Sequence, residues 1–73
     1  MATRITAHIT GTVWKIEKQP GDAVSNGEAV VILESMKMEI PLLAPMAGVV
    51  REIRVQPGSA VRAGQRVVVL ELD

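Results

Sequence analysis

The chain has 73 residues, with eight Lys and Arg against eight Asp and Glu, one tryptophan, and no Cys, Phe or Tyr. Disulfide and thiolate–metal staples are thereby excluded, and no basic field exists to attract nucleic acid or an anionic membrane. A chain this short buries only about 60% of the surface its unfolded form exposes, so a compact aliphatic core has to hold it.

Val, Ile and Leu supply that core, and β-branched residues fit pleated, half-buried strands. The N-terminus, Met1-Ala2-Thr3-Arg4-Ile5, has no signal-peptide core, and no apolar run is long enough to span a bilayer. The expectation is one domain over residues 1–73, soluble, cytoplasmic and monomeric.

The chain repeats itself with a shift of 37 residues. Residues 11–36 and 48–73 share 13 identities over 26 ungapped pairs. Gln19-Pro20-Gly21 falls on Gln56-Pro57-Gly58, Ala23-Val24 on Ala60-Val61, Gly27 on Gly64, and Val30-Val31 on Val67-Val68. Two copies are too few for a solenoid. Two similar halves related by a pseudo-two-fold axis are expected instead.

In chain order, the first copy predicts strands near 4–8, 11–18, 23–25 and 29–36. The spacing of Val13 and Ile16 breaks strict alternation, and a β-bulge between them would turn both inward. Pro20-Gly21 suits a type II turn, which needs positive φ at the glycine. Asn26-Gly27 is a hairpin signal. The second copy predicts strands near 38–44, 48–55, 60–62 and 66–72. Val50 and Ile53 repeat the bulge spacing, and Pro57-Gly58 repeats the turn. Val67-Val68-Val69-Leu70 is continuously apolar, as in a strand covered on both sides or at a sandwich corner.

Between the copies lies Glu34-Ser35-Met36-Lys37-Met38-Glu39-Ile40. A lysine between two methionines, at the junction of two strand-like runs, predicts a side chain held out at a hairpin tip. The symmetry sets that tip at one end of the domain and both chain ends at the other. Methionine is unbranched and polarizable, and adapts to a partner's pocket.

This stretch resembles the attachment motif of the biotinyl domain family, the biotin carboxyl carrier domains of biotin-dependent carboxylases. Pro20-Gly21-Asp22-Ala23-Val24, Gly27-Glu28, Ala44-Pro45-Met46-Ala47-Gly48-Val49-Val50 and Gly64-Gln65 match the family's turn pattern, so the resemblance covers nearly the whole chain. It implies an all-β fold, a flattened β-barrel (barrel-sandwich hybrid) of two four-stranded antiparallel sheets. It also implies that a biotin protein ligase joins biotin to Lys37 as an amide. Biotin is then the cofactor, and the carrier moves carboxylate between biotin carboxylase and carboxyltransferase subunits. A lysine amine is overwhelmingly protonated near neutral pH and no base adjoins this one in sequence. Deprotonation is therefore left to the ligase, and the domain supplies geometry without catalysing.

Met36 and Met38 are read as ligase-recognition residues, and so are Glu34 and Glu39. Glu34 has a repeat partner in Glu71, which favours a partly structural role for it. Lipoyl domains share the fold but usually place an acidic residue before their lysine, so Met36 favours biotin over lipoate. An unmodified structural module is the remaining reading, and the Met-Lys-Met turn speaks against it. His8 stands where such families commonly have proline; with no second His and no Cys, it is read as a strand-end side chain and no metal site is expected. Trp14 matches Arg51 in the repeat and is read as a rim residue covering aliphatic neighbours. Arg51, Arg54, Arg62 and Arg66 all lie in the second copy; with Glu52 among them, they are read as a solvated face rather than a docking patch.

Overall fold

The structure, a computed structural model, describes residues 1–72. It contains β1 (Ala2–Thr6), β2 (Gly11–Ile16), β3 (Ala23–Val24), β4 (Ala29–Ser35), β5 (Met38–Leu43), β6 (Gly48–Ile53), β7 (Ala60–Val61) and β8 (Arg66–Glu71). Two four-stranded antiparallel sheets form, ordered β1-β8-β6-β3 and β5-β4-β2-β7. They face each other as a flattened barrel, 36 × 17 × 17 Å in extent. Among the described residues no helix is long and apolar enough to cross a membrane.

Each sheet takes two strands from each copy of the repeat. The turns stitch the copies together further. Gly21 N–H donates to the Val50 carbonyl and Gly58 N–H to the Val13 carbonyl, both at 2.8 Å. Gly27 N–H donates to the Ala44 carbonyl at 2.8 Å and Gly64 N–H to the Ala7 carbonyl at 2.7 Å. Neither copy closes its own hydrogen bonds, so the two fold as one unit.

Both expected bulges are present. The β2–β4 register shifts between Val13 and Lys15, leaving Trp14 as the extra residue, and the β6–β8 register shifts between Val50 and Glu52, leaving Arg51. Val13 and Val50 are thereby buried, while Ile16 and Ile53 pack against the core only half-buried. Two further bulges account for consecutive buried valines. Val30 is the extra residue opposite β5 and Val67 opposite β1, so Val30-Val31 and Val67-Val68 both point inward.

Gly21 and Gly58 have φ of 96° and 91°, as the Pro-Gly turns require. Asn26-Gly27 is a turn, with Glu28 N–H donating to the Ser25 carbonyl at 3.0 Å, but it is not a hairpin. The strands it joins, β3 and β4, lie in different sheets. Asn26 keeps negative φ, so the mirror-image turn that a two-residue hairpin needs does not form. β2 to β8 begin where expected and end one or two residues early. β1 keeps its expected length but spans 2–6 rather than 4–8, because Ala7 leaves the ladder to bond the loop before β8.

Candidate functional site

β4 and β5 pair from Ala29 and Leu43 up to Ser35 and Met38, leaving Met36-Lys37 as a two-residue hairpin loop. Such a loop matches the twist of its strands only with positive φ at both central residues. Met36 adopts φ 51° and Lys37 φ 65°, the only such non-glycine residues among those described. An L-residue in this region is held at a cost of about 1–2 kcal/mol. The pairing along β4 and β5 supplies the offset.

The loop stands clear of the barrel. Met36 is 91% exposed and Met38 64% exposed, and Lys37 is exposed between them. Among the described residues the Lys37 ammonium has no hydrogen bond or ion pair. Glu34 and Glu39 face each other directly across the ladder, both exposed. Two like charges opposite one another destabilise a hairpin.

Ser35 and Thr10 join the site, and sequence reasoning did not single them out. Ser35 Oγ donates to the Thr10 carbonyl at 3.1 Å, strapping the hairpin base to the chain between β1 and β2. The repeat gives a signal that could have found them, since their counterparts Leu72 and Ala47 carry no hydroxyl. Beside the strap, Gly11 brings β2 close to β4: a Cβ there would lie 2.7 Å from the Glu34 carbonyl oxygen.

Met1 and Leu72 occupy the matching place in the other copy. Leu72 N–H donates to the Met1 carbonyl at 2.6 Å, and Gly48 lies against Glu71 and Leu72 as Gly11 lies against Glu34. The extended segment from Met1 reaches the hairpin base only at Thr10. Lys37 and the Met1–Leu72 pair therefore lie at opposite ends of the barrel. His8 sits exposed between β1 and β2, and Trp14 is 47% exposed on its bulge.

Residues 1–70 match the biotin/lipoyl family, described as "Biotin-requiring enzyme". The chain belongs to this family. Over 40 residues it is 45% identical to the biotin/lipoyl attachment protein of Bacillus subtilis, a match covering 55% of each chain. Over 44 residues it is 48% identical to biotinylated protein TB7.3 of Mycobacterium tuberculosis, covering 60% of this chain and 62% of the relative. The match thus spans less than two thirds of these relatives' length. Among solved structures, the urea carboxylase of Kluyveromyces lactis contains the same fold with TM-score 0.93 and 35% identity, covering 97% of this chain and 6% of that one. As a biotinyl domain the chain has a fold whose relatives are biotinylated proteins and parts of carboxylases.

Proposed function

We propose that the chain is a biotin carboxyl carrier in which Lys37 receives biotin from a biotin protein ligase. The supporting observation is the hairpin: an exposed lysine without a partner, between two exposed methionines, in a two-residue loop of a biotinyl domain. The fit is chemical as well as spatial. Acylation joins the Lys37 Nζ to the biotin carboxyl carbon as an amide; the amine loses its proton to the ligase and the activating group leaves. Nothing in the loop has to move aside for the nucleophile.

In this reading Met36 and Met38 give the ligase an apolar grip beside the nucleophile, and Glu34 and Glu39 mark the base of the hairpin. A loop already held in one conformation lowers the ordering cost of docking. Once attached, biotin supplies a ureido nitrogen that can carry carboxylate. The domain is then a cytoplasmic, monomeric carrier unit over residues 1–73 that serves biotin carboxylase and carboxyltransferase partners and catalyses nothing itself.

The test is the intact mass of the chain after co-expression with a biotin protein ligase. A gain of one biotinyl group, lost in Lys37→Arg, is expected. No gain, or a gain that survives Lys37→Arg, refutes the reading. Efficient uptake of lipoate with none of biotin reassigns the cargo.

A further inference from the structure

The two copies share a backbone but differ in charge. In the first copy the turns around β3 carry Glu17, Lys18, Asp22 and Glu28, and the Lys18 ammonium meets the Glu28 carboxylate at 2.6 Å. In the second copy those positions hold Arg54, Val55, Ser59 and Gln65, while Arg62 and Arg66 replace Ser25 and Ala29. An acidic neighbourhood has become a basic one on the same framework.

Arg54 and Arg66 border one open concavity of about 530 Å³, together with Gly64 and Gln65. Arg54 also borders its neighbour of about 360 Å³. Its carboxylate contact is Glu52 at 3.7 Å, between two half-exposed side chains, a pair that water screens heavily. Among the described residues Arg62 and Arg66 have no carboxylate partner. Arg51 stands apart, paired with Glu71 at 3.4 Å.

These arginines lie on the Lys37 end of the barrel. Arg66 opens β8 opposite Thr6, the far end of β1 from Met1, and Arg54 N–H donates to the Val67 carbonyl at 2.8 Å. The Arg62 turn reaches the hairpin strap itself, where Ala63 N–H donates to Thr10 Oγ1 over a long 3.4 Å and Thr10 holds Ser35. The acidic neighbourhood of the first copy lies towards the chain ends, beside Leu43 and Ala44. A chain of zero net charge therefore has a basic shoulder next to its presented lysine.

Sequence alone reads these arginines as a solvated face; from their placement beside the hairpin we propose instead that Arg54, Arg62 and Arg66 form a docking surface for an acidic face of the enzyme that acylates Lys37. This rests on the biotin reading above. The guanidinium groups are exposed and the concavities open, which suits a protein surface better than an enclosed small ligand. Acylation removes the Lys37 charge and leaves Glu34 and Glu39. An acidic surface thus holds the unmodified chain more strongly than its product, which favours the acylating enzyme over those acting afterwards.

The experiment follows biotin incorporation by the source organism's biotin protein ligase, with biotin and ATP, on the full chain. Arg54→Glu/Arg66→Glu is expected to lower kcat/KM about tenfold, through KM, because charges at an interface rim act on encounter. The wild-type rate should fall between about 20 and about 300 mM salt, and the variant's should not. Lys15→Glu, an exposed change of the same sign on β2, should stay within about twofold of wild type. Equal losses in Lys15→Glu and the arginine variant overturn the surface. So does a loss in kcat alone, or an unchanged kcat/KM without salt dependence. A wild-type chain that takes up no biotin refutes the function reading itself, whereas equal biotinylation of wild type and the arginine variant removes only the docking surface.

Discussion

Lys37 is held in an unfavourable backbone conformation, and the residue before it shares that conformation. Asn suits positive φ far better than Met. Met36→Asn should raise stability by about 0.5–1 kcal/mol, read as a higher denaturant midpoint, while slowing biotin uptake. A gain in stability with loss of uptake is the pattern expected where a site departs from the best local sequence. Glycines show the opposite case. No atom lies within 4 Å of a Cβ built on Gly58, so its requirement is conformational. Gly58→Val should cost about 1–3 kcal/mol through strain at φ 91°, against less than about 0.5 kcal/mol for the exposed Arg62→Ala. Their denaturant midpoints test the order. Pro57-Gly58 made this position legible in sequence. Gly11 was visible only as a repeated glycine, since its reason is a carbonyl 23 residues away in the chain.

The β4–β5 hairpin is the element on which the proposed chemistry turns, and its conformation is set from outside as well as within. Ser35 Oγ anchors its base to Thr10. Ser35→Ala should cost about 0.5–1.5 kcal/mol, the usual net value of one hydrogen bond. The Met38 and Ser35 amides should then exchange with solvent faster than those of β8, whose matching end has no such strap. Equal acceleration in both sheets would mean general destabilisation instead. At this scale the Met-Lys-Met pattern and its flanking apolar runs announced a hairpin, and one formed. Asn26-Gly27 announced another and formed only a turn, because the partner of β4 is chosen by sheet assembly rather than by the adjoining turn.

For the whole molecule, the difference in charge between copies has a consequence for stability. The hydrogen bond from Lys18, helped by the Ser25 N–H, holds the Glu28 carboxyl below its ordinary value, and Glu28 raises Lys18 above its own. A lowered carboxylate contributes stability that is present above its unfolded pKa, about 4.3, and lost as pH falls through the folded value. A raised lysine contributes stability present below about 10.4 and lost as pH rises through the folded value. Lys18→Met should therefore lie below wild type in denaturant midpoint near pH 6, with the gap closing towards pH 3. A gap independent of pH would show that the pair's charges do not stabilise the fold. The second copy has Val55 and Gln65 at these positions and contributes no such term.

The sequence by itself determined the repeat, the turns at Pro20-Gly21 and Pro57-Gly58, a bulge between Val13 and Ile16 and another between Val50 and Ile53, and the hairpin carrying Lys37. These are local matters, fixed by φ preferences, two-residue periodicity and the spacing of apolar side chains. It did not determine which strands share a sheet. Four strands per copy are equally compatible with one copy in each sheet, but the structure interleaves them, and the Gly21, Gly27, Gly58 and Gly64 N–H groups of each copy's turns donate to carbonyls of the other. That exchange also decided what surrounds Lys37. Thr10, Ser35 and the arginine shoulder of the second copy meet at one end only because the copies are woven together, and no spacing along the chain brings them there.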